Sequence, residues 1–200
     1  NKWSWYSLCK NESIPWQSDF IIDFYKHINW EALCSNIAFP WTEELIEIYK
    51  EKIDWKSLAK NKTFPWTVNF IENILEIKIN DKNDVFLLEL CENTSLPWSE
   101  YLVELFINRI KGIKIGTNSV YSHRPDYLVT ALSMNEALPW NIELIKKHIS
   151  FWEWGFRGLS TNKSLPWTSE LIDLFKDKWS WQFLSSSIQS IPYTIEMIEY

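Results

Sequence analysis

Three cysteines and three histidines are the side chains of this sequence that could act as nucleophiles, metal ligands or proton carriers. The cysteines form no C-x-x-C pair, and the histidines His27, His123 and His148 do not cluster. Zinc and redox sites need such residues at short, defined spacings. No H-E-x-x-H motif, glycine-rich phosphate loop or G-x-S-x-G motif occurs either. We therefore expect no catalytic residues, no metal and no cofactor, and hence no enzyme.

Four glutamates recur at one position of a repeated pattern described below. General acid-base catalysis requires two carboxylates in unlike environments, whereas a recurring position gives like environments. The recurrence therefore indicates a structural or solvent-facing surface. These residues are Glu44, Glu143, Glu170 and Glu196.

Cys9, Cys34 and Cys91 each directly follow a leucine that also recurs along the chain. Other copies of the pattern carry alanine or serine there, so the position requires a small side chain, and cysteine acts as a small apolar residue. An odd number of cysteines without a disulfide pattern indicates reduced thiols. We therefore expect an intracellular, cytoplasmic location.

A positively charged segment lies between Phe106 and Asp126, with no acidic residue before Asp126. On a chain with a formal net charge of −6, such a local concentration favours contact with an acidic partner or with phosphates. The alternative is a solvated insertion that the fold tolerates. The candidate contact residues are Arg109, Lys111, Lys114, His123 and Arg124.

The composition limits the remaining classes of function. A net charge of −6 makes nucleic-acid binding unlikely over most of the surface, because phosphate recognition needs concentrated lysine and arginine. No apolar run approaches the roughly 20 residues that a bilayer requires. No secretory signal opens the sequence.

The 14 tryptophans follow a repeat. Pro-Trp pairs occur six times, at intervals of 25 to 42 residues, with a Pro-Tyr variant at 192–193. The pairs contain Trp16, Trp41, Trp66, Trp98, Trp140 and Trp167. Four residues before each proline stand Asn11, Asn36, Asn61, Asn93, Asn135 and Asn162.

Each repeat is predicted to form two helices. N-capping residues such as Asp54 and Thr67 begin a short and a longer helix, respectively, and the Pro-Trp linker separates the two. The asparagine is expected to end the short helix, since asparagine tolerates a left-handed backbone. Gln17 and Asn141 replace the usual Thr or Ser, so caps are not predicted there. A helix pair of this size cannot bury its apolar face alone, which predicts an all-α solenoid of about seven stacked repeats.

The consensus W-x-x-L-S-x-N-x-x-L-P-W-T-x-E-L-I resembles the tryptophan-rich helical repeats of about 25 residues in uncharacterised proteins of bacteria, phages and large viruses. It covers nearly the whole chain, and the copies at 55–66 and 156–167 match it well. The resemblance implies a repeat scaffold. It implies no particular activity and no binding residues.

Most tryptophans fit repeat positions that are expected to be packed. Trp152 lies outside the pattern, because Trp154 occupies the position of Trp3 and Trp179 when residues are counted back from the repeat leucine. It is therefore the indole expected to be exposed, where it could anchor a partner or stack on a sugar. Core packing is the alternative.

These observations predict one helical-repeat domain over residues 1–200, as a segment of a longer array, with insertions near 77–84 and 107–126. The predicted function is a non-catalytic scaffold for protein–protein interaction or assembly. The alternative is nucleic-acid or glycan binding through the basic 109–124 segment and Trp152.

Overall fold

The computed structural model describes residues 2–17, 19–77, 84–113, 125–188 and 191 of the 200-residue chain. Twelve α-helices and one short 3-10 helix lie in these ranges, which contain no strand. The all-α prediction is therefore confirmed for the described residues. The chain forms two compact units, Asn1–Pro97 and Trp98–Tyr200.

The first unit contains seven helices in its described residues. They are α1 Trp5–Cys9, α2 Phe20–Phe24, α3 Trp30–Cys34, α4 Glu43–Tyr49, α5 Trp55–Lys60, α6 Val68–Ile77 and α7 Asp84–Glu92. The first helices of successive repeats contact one another in chain order, α1 with α3, α3 with α5 and α5 with α7.

The second unit contains five α-helices and the 3-10 helix in its described residues. Helix α9 contacts α8 and also the 3-10 helix, which in turn contacts the last helix of the unit. The elements are α8 Glu100–Lys111, α9 Pro125–Met134, α10 Ile142–Lys147, the 3-10 helix Leu159–Thr161, α11 Ser169–Leu174 and α12 Trp181–Ser187.

Polar side chains determine where most helices begin. The Asp54 carboxylate accepts a hydrogen bond from the Ser57 N–H at 2.8 Å, and the Thr67 hydroxyl accepts one from the Phe70 N–H at 3.2 Å. Asn141 also caps its helix, with its Oδ1 atom 2.7 Å from the nitrogen of Leu144. No cap was assigned to Asn141 from the sequence, yet asparagine offers the same kind of acceptor as threonine. Further caps with a side-chain bond are Ser4, Asn29, Thr42, Ser99 and Thr168.

Gln17 provides no cap. Helix α2 begins only at Phe20, and its N-cap residue Asp19 makes no side-chain capping bond. No cap was assigned to Gln17 from the sequence, and the helix begins three residues after it.

Asn61 and Asn162 end their helices as predicted, but not with the predicted backbone conformation. No described residue other than glycine has a positive φ, and Asn61 and Asn162 have φ values of −69° and −78° at their helix ends. The prediction of a left-handed backbone is therefore wrong. The asparagines are buried instead, with Asn36 only 1% exposed and Asn61 only 2%.

Each of these asparagine side chains joins one repeat to the repeat before it. The Asn61 Nδ2 atom donates to the carbonyl oxygens of Cys34 at 3.0 Å and Asn36 at 3.1 Å. Its Oδ1 atom accepts from the backbone N–H of Thr63 at 2.9 Å. Asn36, Asn93 and Asn162 make the same three kinds of bond. We call this arrangement the asparagine joint.

Four Pro-Trp indoles bond the asparagine of their own repeat, whereas the buried Nε1 atom of Trp41 has no hydrogen-bond partner among the described residues. The Trp66 Nε1 atom donates to the backbone carbonyl of Asn61 at 3.1 Å, five residues earlier. The indole thereby packs under the turn while its polar atom is paired, as a buried tryptophan requires. The same bond is made by Trp16, Trp140 and Trp167 to the asparagines of their own repeats.

The two predicted insertions lengthen the neighbouring helices. Helices α6 and α8, which precede the insertions, have ten and 12 residues, against seven in α4. Helices α7 and α9, which follow the insertions, have nine and ten residues, against five in α1 and α3. Residues 78–83 and 114–124 of the insertions lie outside the described residues.

Gly158 lies where two backbone segments approach closely before the 3-10 helix. A Cβ atom added at Gly158 would be 2.1 Å from the carbonyl oxygen of Glu153, whereas one at Gly155 would be 3.0 Å from the flexible Glu153 carboxylate. We expect Gly158→Ala to lower the free energy of unfolding by about 2 kcal/mol, because the backbone must shift. Gly155→Ala is the matched control and should have little effect in urea unfolding; equal losses would contradict this account.

Candidate functional site

An open groove of about 330 Å³ lies in the first unit, lined by residues of α4, the start of α5 and α6 together with the turn after α4. Ile46, Phe70 and Ile74 form its apolar floor and are buried. The half-buried indole of Trp55 also lines it and packs against Phe86 at a ring-centroid distance of 5.9 Å. A groove of this size accommodates a side chain or two of a binding partner.

The rim of the groove is strongly acidic. Four glutamates and a single lysine line it, a net charge of −3, which is half the formal charge of the whole chain. Glu43 accepts a hydrogen bond from the Thr67 hydroxyl at 2.7 Å, and Glu47 pairs with Lys50 at 2.8 Å. The other two rim residues are Glu44 and Glu51. Sequence reasoning treated the position of Glu44 as a solvent-facing surface and did not predict a groove.

The basic segment predicted as a contact site is only partly described. Arg109 and Lys111 lie in the last turn of α8, which ends before Gly112. The Lys111 ammonium lies 5.9 Å from the centroid of the Phe151 ring. Lys114, His123 and Arg124 lie outside the described residues. The binding role of the segment therefore stays a prediction.

Trp152 is buried, with only 4% of its surface exposed. Its ring packs against Trp140 at 5.0 Å and against Phe151 at 5.2 Å. The predicted exposure is wrong, and the packing alternative describes the residue. Stacking of Trp152 on a sugar or base would require exposing a core side chain.

The error in placing Trp152 has a simple cause. Counting forward from the Pro-Trp tryptophan by 12 residues gives Ile28, Ile53, Trp152 and Trp179, and all four are buried. Counting backward from the repeat leucine Leu159 gives a different result, because this repeat has two extra residues between Trp152 and Leu159. They lie just before the 3-10 helix, which replaces the short α-helix of other repeats. The forward count is the sequence signal that would have identified Trp152 as a core residue.

Two polar atoms are buried without a hydrogen bond in the cluster around Trp152. The Nε2 atom of His148 and the Nε1 atom of Trp152 are buried and have no hydrogen-bond partner among the described residues. Burial lowers the pKa of His148 and Lys111 lowers it further, while Glu104 opposes the shift. The neutral imidazole is thereby favoured at the edge of this aromatic cluster.

The three thiols lie within the described residues, are buried and form no disulfide. Burial raises the pKa of Cys34 to about 12, although the backbone N–H of Asp54 partly opposes the shift. Burial also raises the pKa values of Cys9 and Cys91. Nucleophilic chemistry requires the thiolate, so these environments disfavour it.

The small residue after the repeat leucine also has a polar role. The backbone N–H of Asp54 faces Cys34, and the N–H groups of Glu153 and Ser180 donate to the hydroxyls of Ser133 and Ser160, each at 3.0 Å. In all three cases the donor is 20 residues further along the chain. The position thus joins successive repeats, in addition to requiring a small side chain.

Raised thiol pKa values predict slow modification and a dependence of stability on pH. We expect no reaction with a thiol-specific disulfide reagent at about pH 8 until the chain is unfolded. Above about pH 9 the unfolded state loses thiol protons that the folded state retains, so the free energy of unfolding should fall with rising pH. Cys34→Ala should reduce this slope in urea titrations; an unchanged slope would contradict a raised Cys34 pKa.

Sequence reasoning also missed a buried carboxylate. Glu89 on α7 is 8% exposed and pairs with Lys60 on α5 at 3.1 Å. Burial raises the pKa of the neighbouring Glu92, and Glu89 adds to the shift while Lys60 opposes it. The two carboxylates on α7 lie in different environments, but both interact with Lys60 on the facing helix α5. The packing of α5 against α7 therefore explains this cluster without a catalytic role.

The described part of the chain contains no group of three or more His, Cys, Asp or Glu residues that could hold a metal ion. Within the same residues, no helix has the length and apolar character to cross a bilayer.

Comparison with protein-family models, with curated proteins and with solved structures finds no match. The site must therefore be interpreted from its own geometry.

Proposed function

We propose that the chain is a non-catalytic helical-repeat scaffold, an α-solenoid of about seven repeats that presents an extended surface to a protein partner. The asparagine joint is the observation that carries this proposal. It repeats with the same donors and backbone acceptors in Asn36, Asn61, Asn93 and Asn162. Such joints stack repeats without using exposed side chains, which leaves those side chains available for recognition.

Exposed apolar residues of the first unit support a protein as the partner. Several large apolar side chains are exposed in the first unit, among them Ile22 at 71% and Ile48 at 69%. Ile48 lies on α4, the helix that also carries three of the four glutamates of the groove. Apolar residues bordered by charged ones are typical of protein-binding surfaces.

The proposal can be tested by purifying the tagged natural protein from its source after chemical crosslinking in the cell. We expect one protein to be recovered in a defined ratio, with crosslinks to lysines of this chain. Reconstitution of the purified pair should then give a single complex in sedimentation velocity. A chain that sediments as a partnerless monomer at every concentration, with no specific crosslink, would contradict the scaffold function.

A further inference from the structure

The groove carries charge that its own residues do not neutralise. Glu44 and Glu51 line it and form no ion pair within 4.0 Å with another described residue. Lys50 is the single cation in the lining and already pairs with Glu47. A ligand that brings positive charge would therefore meet carboxylates at the rim.

The lining also selects the form of that ligand. The floor is apolar, and Trp55 presents part of its indole beside the glutamates. Lysine and arginine combine an apolar stem with a cationic end, and the cation is attracted to the face of an indole. A volume of about 330 Å³ fits such side chains but is small for a large cofactor.

We propose that this groove docks a basic segment of a partner protein, with an arginine or lysine of that segment lying across Trp55 and its cation meeting Glu44 and Glu51. This rests on the proposed scaffold function and specifies the chemistry of its partner. Charge complementarity selects a basic segment over an acidic one, and the apolar floor selects a segment that also carries apolar residues.

The probe is a capped heptapeptide of alternating arginine and leucine, with its glutamate–leucine counterpart and spermine as comparisons. Binding is followed through the assigned Trp55 indole N–H signal in ¹⁵N-correlated NMR spectra at about 0.15 M salt, where the Debye length is about 8 Å. We expect saturable binding of the arginine peptide only. The double variant Glu44→Gln with Glu51→Gln should weaken that binding by about tenfold or more.

The matched control is Glu136→Gln with Glu170→Gln, which removes the same charge from exposed positions outside the groove. Its affinity should stay within about twofold of the unmodified chain, since exposed charges that do not line the groove act only through screened solvent. Equal weakening by the two double variants would overturn the proposal, as would equal binding of the glutamate peptide or spermine, or no shift of the Trp55 signal.

The two proposals can fail separately. If the natural partner binds the Glu44→Gln, Glu51→Gln chain as well as the unmodified one, the groove is not the docking site and the scaffold function stands. If the arginine peptide binds as expected but no protein partner exists, the scaffold function fails although the groove chemistry is correct.

Discussion

Replacing Asn61 with alanine is expected to lower the free energy of unfolding by about 3 kcal/mol. The substitution removes the donor to the carbonyls of Cys34 and Asn36 and the acceptor for the N–H of Thr63. The side chain is 2% exposed, so water cannot readily replace it. Leaving buried polar groups unpaired costs more than the net gain of forming the bonds. Urea unfolding followed by circular dichroism measures the loss.

Asn11 provides a matched control. It occupies the same repeat position and accepts from the N–H of Ser13 at 2.9 Å, but it is exposed and its amide donates to no described carbonyl. Asn11→Ala should therefore cost much less than Asn61→Ala. Equal losses would mean that the turn within one repeat, and not the bond between repeats, determines the stability of the joint.

Replacing Trp152 with alanine is expected to lower the free energy of unfolding by about 4 kcal/mol, the usual effect of removing a large aromatic side chain from a core. The indole is 4% exposed and packs against Trp140 and Phe151. An exposed tryptophan would give a change within about 0.5 kcal/mol. Thermal and urea unfolding of the variant therefore show whether the Trp152 indole is buried or exposed.

Phenylalanine substitutions refine this test. The Trp179 Nε1 atom donates to the carbonyl of Ile172 at 3.1 Å, whereas the Trp152 Nε1 atom has no partner among the described residues. Both residues occupy the same position in their repeats. Trp152→Phe should therefore cost about 1 kcal/mol less than Trp179→Phe. The reverse order would show that the Trp152 indole does have an acceptor.

The sequence was sufficient to predict the helices and most of their caps, since both depend on neighbouring residues. Thr67 and Asp54 could be identified as caps because a capping side chain bonds a backbone N–H three residues later. The role of Asn61 could not be derived in this way. Its acceptors lie 25 and 27 residues earlier in the chain, and only the packing of one repeat on the next brings them within reach.

The groove was unpredictable for a related reason. Glu44 and Glu51 lie on or beside one helix, but Trp55 and Phe70 come from other elements, and the concavity exists only between them. A local pattern indicates that a carboxylate is exposed, but it does not indicate what surface surrounds it. Trp152 was misplaced because the two extra residues in its repeat changed the count from one end and not from the other.

The asparagine joint has a consequence for how such a chain can change over evolutionary time. Asn36 and Asn61 reach back 27 residues to their first acceptors, yet Asn93 makes the same bond at 2.7 Å across 34 residues. The acceptors are backbone carbonyls, which any residue supplies. Copies of the unit can therefore be duplicated, deleted, exchanged or lengthened without redesigning their neighbours, and the exposed residues of each copy remain free to diverge.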